Sequence, residues 1–158
     1  MSKLHTLTVP DFLWVNLQVT KGSQQYSYAR LEEAVFTQYG YGESDEVLKQ
    51  AAKLLTEFRR LRPFTKGNGA CAFIGTAVFL EMNGYALHVN PETAAAWAAE
   101  AWNDPSQAEE MIRAEAHAHE ESHHEGVPET LVIAEEILGK YRNAVATLVE
   151  TEPETILL

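Results

Sequence analysis

Apolar residues recur with a helical period along most of the chain. Val47, Ala51, Leu54, Leu55, Phe58 and Leu61 share one helix face, and Arg59 and Arg60 near its end complement the helix dipole. Ser44 is the expected N-cap, with Asp45 and Glu46 in the first turn. Upstream, Pro10 and Asp11 open a short apolar helix over Phe12 to Leu17 that ends by Gly22. A second short helix, from about Ala29 to Thr37, carries the stripe Leu31, Ala34 and Val35. Downstream, Tyr85 to Val89 is an extended link. Asn90-Pro91 then starts a helix through Trp102, and Asp104-Pro105 starts one that runs to Gly126. Val127-Pro128-Glu129 opens the last helix, with Ala134, Ile137, Leu138, Tyr141, Val145 and Leu148 on one face, and 150–158 is a frayed tail. The pattern predicts an all-α fold of about seven helices and no sheet.

One stretch departs from the amphipathic pattern. The run from Ala70 to Leu80 is apolar all round, which predicts a helix buried on every side at about 69–83, closed by Asn83-Gly84. It is too short to span a bilayer. Pro63 disfavours helix at Arg62, so the preceding helix stops there. Gly67-Asn68-Gly69 forms a tight turn that opens the buried helix. Such a terminus aims several backbone N–H groups one way and favours anions, phosphates above all. Arg62 and Lys66 add positive charge beside it. Arg62, Lys66, Gly67, Asn68 and Gly69 are therefore the candidate phosphate-binding residues, with Pro63 and Phe64 framing the loop.

Composition narrows the classes. At 158 residues, one domain is the simplest reading. The net charge of −11 (12 basic against 23 acidic residues) argues against general nucleic-acid binding and against an anionic membrane surface. The single cysteine, Cys71, falls inside the buried helix and is expected to be inert core. The apolar stretch Phe12 to Leu17 is short and interrupted by Asn16, so no signal peptide is expected, and a cytoplasmic protein is.

The loop and its helix resemble the Fic/Doc family. That family's signature runs H-P-F-x-(D/N)-G-N-(G/K)-R, followed by an apolar helix often ending F-L-x-x-N-G-Y. This chain has Arg62-Pro63-Phe64-Thr65-Lys66-Gly67-Asn68-Gly69-Ala70 and then Phe79-Leu80-Glu81-Met82-Asn83-Gly84-Tyr85. Three positions differ. Arg62 stands where the family has its histidine base, Lys66 where it has the acidic residue that holds Mg²⁺, and Ala70 where it has the arginine that grips nucleotide phosphates. The resemblance implies a Fic-like helical bundle around the central helix and a single domain over 1–158, with the likeness running over about 10–90. It also implies a frame kept without its catalytic groups. Arginine stays protonated and cannot act as a base, and Lys66 cannot hold Mg²⁺. His88 is the nearest histidine in sequence that could substitute as base. The tyrosine-rich segment Ser23 to Gly42 could correspond to the family's target-aligning flap. The family's inhibitory motif, (S/T)-x-x-x-E-(G/N), is not found; Ser122-His123-His124-Glu125-Gly126 is one residue short of it.

A second cluster, His117 to His124, contains His119-Glu120-Glu121-Ser122-His123, which fits H-E-x-x-H. On a helix, His119 and His123 share a face and are candidate Zn²⁺ ligands, with Glu120 as base. Three readings follow. The first is a catalytically silent or repurposed Fic/Doc-like protein that binds a phosphate-bearing ligand such as a nucleotide, without Mg²⁺; its variant is a nucleotidyl- or phosphotransferase with an altered site. The second is a protein-interaction module related to toxin–antitoxin systems, with an antitoxin-like partner. The third is a zinc-dependent hydrolase built on His119 and His123.

Overall fold

Helix α4 (Asn68–Met82) is the centre of the molecule, and every residue of it except Glu81 is buried. The computed structural model describes residues 4–39, 46–118 and 129–157. Around α4 stand α1 (Val9–Thr20), α2 (Tyr28–Phe36), α3 (Val47–Leu61), α5 (Ala94–Ala101), α6 (Pro105–Glu115), α7 (Thr130–Lys140) and α8 (Arg142–Thr151). Among the described residues the fold is all-α apart from one small two-stranded sheet. The apolar run predicted as a buried helix at about 69–83 is that central helix. Among the described residues, no helix is long and apolar enough to cross a membrane.

Small residues on α4 let its neighbours approach. A Cβ at Gly75 would run into the Phe12 ring, so glycine there lets α1 lie close against α4. Phe12 in turn meets Phe58 of α3 at 4.8 Å between ring centroids, and Phe58 meets Phe64 at 6.4 Å. On another side, Phe73 packs edge-on against Tyr141 at 4.9 Å. The α3 stripe is buried from Val47 to Phe58 as its spacing predicts, and Leu31, Ala34 and Val35 bury the inner face of α2. Cys71 is fully buried, and burial pushes its thiol up to about 12, so it is an inert core group.

Several boundaries differ from the sequence pattern. Helix α1 begins at Val9, because Thr8 and Asp11 form a reciprocal capping box ahead of Pro10. Helix α3 begins at Val47 with Glu46 at the cap; the expected cap at Ser44 and first-turn Asp45 lie outside the described residues. Asn90 does not cap α5. Its Oδ1 accepts the Glu92 N–H in a separate turn, and the helix starts at Ala94. The helix predicted to reach Gly126 stops at Glu115. Ala116–Ala118 is instead strand β2, paired antiparallel with β1 (Tyr85–Leu87) in the register Tyr85 to Ala118, Ala86 to His117 and Leu87 to Ala116. A sheet therefore exists where none was expected.

The single last helix is two helices, broken at Tyr141. The break seats the Tyr141 ring in the core, where its hydroxyl donates to the backbone oxygens of Leu87 and Val89 at 3.2 and 3.0 Å. One phenol thus clamps the residues on either side of His88. The segment after α8 is not frayed at its start. Glu152 turns inward with its side chain only 5% exposed, and the Thr155 N–H donates to the Thr65 oxygen at 2.9 Å.

Candidate functional site

The loop between α3 and α4 is held from three directions. Arg62 ends α3 in the left-handed region at φ 45°, and its N–H donates to the Phe58 oxygen. The conformation turns the chain into Pro63. Gln25 and Ser27 lie alongside in extended form: the Ser27 N–H donates to Pro63 O at 2.8 Å and the Thr65 N–H to Gln25 O at 3.1 Å. Gln25 and Ser27, from the tyrosine-rich segment, thus line the loop. From α1, buried Asn16 donates its Nδ2 to Lys66 O at 2.9 Å and lies 3.5 Å from Cys71 Sγ.

Gly67 takes φ 81° and sits tight against α1, where a Cβ would lie 2.6 Å from the Thr20 methyl. Asn68 is fully buried, and its amide closes the loop on itself. Its Oδ1 accepts the Phe64 N–H at 2.9 Å and its Nδ2 donates to Phe64 O at 2.7 Å. Phe64 is a core residue, 1% exposed.

The free N–H groups of α4 point at a carboxylate from the chain itself. Glu152 Oε2 accepts from the Asn68 N–H at 3.1 Å, and Oε1 accepts from the Gly69 N–H at 2.7 Å. Asn68 Nδ2 adds a longer contact to Oε2 at 3.3 Å. A carboxylate in this place satisfies orphan donors and meets the positive end of the helix dipole. Gly69 makes room for it, since a Cβ there would lie 3.2 Å from Glu152 Oε1 and 2.8 Å from the Trp102 ring.

The cation facing this carboxylate is Arg59. Its Nε lies 3.8 Å from Glu152 Oε1, and its guanidinium stands over Trp102 at 5.1 Å. The Arg59 side chain is 18% exposed, and its Nε is a buried nitrogen without a hydrogen-bond acceptor. Burial holds its pKa below the ordinary arginine value, Glu152 raises it and Arg62 lowers it further. Beside the ion pair is a cavity of about 460 Å³, lined by Arg59, Trp102, Leu148, Thr151, Glu152 and the alanine face of α5.

The sequence-predicted residues thus separate by role. The Asn68 and Gly69 N–H groups hold the Glu152 carboxylate, and Gly67 supplies the left-handed turn ahead of them. Pro63 and Phe64 are framework. Arg62 and Lys66 are exposed on the loop, while Arg59 faces the anion. Arg59 carried no signal beyond a charge near a helix end, and Glu152 none beyond an acidic residue near α8. His88 is not placed as a substitute base. It borders the same cavity as Ala77, which is nine residues along α4 from Asn68, roughly 13 Å of helix rise. His119 and His123 lie outside the described residues. The helix predicted to run through them ends at Glu115.

No family model matches the chain, and no curated protein and no solved structure matches it.

Arg62 gives a direct test of its part in the loop. A non-glycine residue at positive φ costs roughly 1–2 kcal/mol, and glycine loses part of that gain to its own chain entropy. Arg62→Gly is therefore expected to stabilise the protein by up to about 1 kcal/mol in urea unfolding. A loss of stability would mean that the exposed side chain makes native contacts worth more than the strain.

Proposed function

We propose that this is a Fic/Doc-like domain without the family's transfer chemistry, which binds a phosphate-bearing ligand at the α4 N-terminus in competition with Glu152. One observation carries the reading: a carboxylate already occupies the cradle of the Asn68 and Gly69 N–H groups, with Arg59 alongside. Phosphate oxygens ask for the same donors and the same positive field. Arg62 cannot accept the proton of a target hydroxyl, so binding without transfer is the function these residues support. The nucleotide implied by the family resemblance is the first ligand to try.

The test is calorimetric titration of ATP, ADP, GTP, GDP and inorganic phosphate, with and without Mg²⁺, into wild-type protein and into Glu152→Gln. The variant keeps the side-chain shape but withdraws the competing charge. It is expected to bind at least about tenfold more tightly than wild type, a difference of about 1.4 kcal/mol. That binding should be indifferent to Mg²⁺ and lost in Arg59→Ala. No heat from any of these ligands with Glu152→Gln overturns the reading.

A second reading rests on different residues. Tyr26 and Tyr28 are 43% and 57% exposed, on and just after the extended segment that lines the loop. Half-exposed tyrosines suit a protein partner. An antitoxin-like protein docking there is the alternative if the phosphate titrations are silent.

A further inference from the structure

The geometry points to a two-histidine site for a late first-row divalent metal, of which zinc is the type, formed by His88 and His117 across the β1–β2 ribbon. In the observed register Ala86 faces His117, so His88, two residues further along, is the diagonal neighbour of His117 on the same face. Ala86 carries only a methyl group, which lets the His117 ring lean toward His88. The two rings meet at 4.8 Å between centroids with an interplanar angle of 83°, and both residues are exposed.

The separation of the two rings is close to what a shared metal needs. Zinc lies about 2.0–2.1 Å from each imidazole nitrogen, so each ring centroid lies roughly 3.2 Å from the ion. A tetrahedral angle then separates the centroids by roughly 5 Å.

The ligand backbone is already fixed. The His88 N–H donates to Glu115 O at 2.8 Å, and the buried Tyr141 hydroxyl holds the carbonyls of Leu87 and Val89 on either side. Little conformational entropy remains to be lost there on binding. Among the described residues, no group of three or more histidine, cysteine or acidic side chains gathers to hold a metal. The two rings are the protein ligands proposed, and water or an incoming ligand would complete the coordination. Neutral imidazole donors select zinc, nickel or copper over Mg²⁺ and Ca²⁺, which take oxygen. Bound there, the ion would tie β1, which leaves the end of α4, to β2, which leaves α6.

The test starts from full-length His119→Ala/His123→Ala protein, so that the other histidine pair cannot answer for this one. Zinc is titrated calorimetrically into that protein and into the same protein carrying His88→Ala or His117→Ala as well. The expected result is one zinc per chain in the starting variant, a rise in its thermal midpoint, and binding at least about tenfold weaker after either further substitution. Both rings are exposed, and circular dichroism verifies that the variants remain folded. No zinc binding by the starting variant, or unchanged binding after His88→Ala or His117→Ala, overturns the proposal.

Discussion

Glu152→Ala is expected to destabilise the protein by about 3 kcal/mol, a large effect for a residue one position beyond the last helix. Two losses add. The N–H groups of Asn68 and Gly69 lose a charged acceptor, and hydrogen bonds to charged groups contribute about 1.5–3 kcal/mol each when buried. Arg59, with its side chain 18% exposed, also loses its counter-charge. Breaking a fully buried ion pair typically costs about 3–5 kcal/mol, and this pair falls toward the lower end because water can enter from the adjoining cavity. Glu152→Gln keeps one oxygen acceptor and the packing, so about half the loss is expected. Combining Glu152→Ala with Arg59→Met in a double-mutant cycle separates the pair from the cradle, because methionine removes the charge while filling the groove beside Trp102. Urea unfolding measures each variant. A loss below about 0.5 kcal/mol for Glu152→Ala would mean that water serves the cradle as well as the carboxylate does.

Much of the architecture was legible because its causes are local. The α3 stripe, the all-round apolar α4 and the Gly67-Asn68-Gly69 turn each declare themselves within a few residues. Contacts made across long stretches of chain left no such mark. Glu152 reaches Asn68 over 84 positions of sequence, and nothing near Glu152 announces an acceptor for a helix terminus. Asn16 reads as an interruption in an apolar stretch, but it is a buried donor to Lys66 O. Ala116 to Ala118 reads as helix by propensity, yet pairing with Tyr85 to Leu87 makes it strand. Tyr141 fits a continuous helical face, but the carbonyls of Leu87 and Val89 draw its phenol into the core and split that helix in two.

A large single-atom effect is expected at Gly67, where a methyl group tests whether the cradle tolerates any change of shape. Gly67→Ala places a side chain at φ 81°, which costs roughly 1–2 kcal/mol by itself. The new Cβ would also lie 2.6 Å from Thr20 Cγ2, 3.1 Å from Asn16 Nδ2 and 3.3 Å from Val19 Cγ2. Thr20 cannot simply rotate away, because its hydroxyl donates to Asn16 O and Gly22 O, both at 2.8 Å. Overpacking of this kind adds about 1–3 kcal/mol, so a total near 3 kcal/mol is expected. Thr20→Ser removes the clashing methyl and keeps the hydroxyl. The pair Thr20→Ser/Gly67→Ala should therefore recover roughly half of the loss, leaving the backbone strain. Full recovery would show that the left-handed conformation at Gly67 costs alanine almost nothing. No recovery would show that Asn16, which holds the loop through Lys66 O, is the contact that cannot give. Ligand affinity of the two variants separates these outcomes further, because displacing Asn16 moves the loop that carries the Asn68 and Gly69 N–H groups, whereas backbone strain alone leaves the cradle in place.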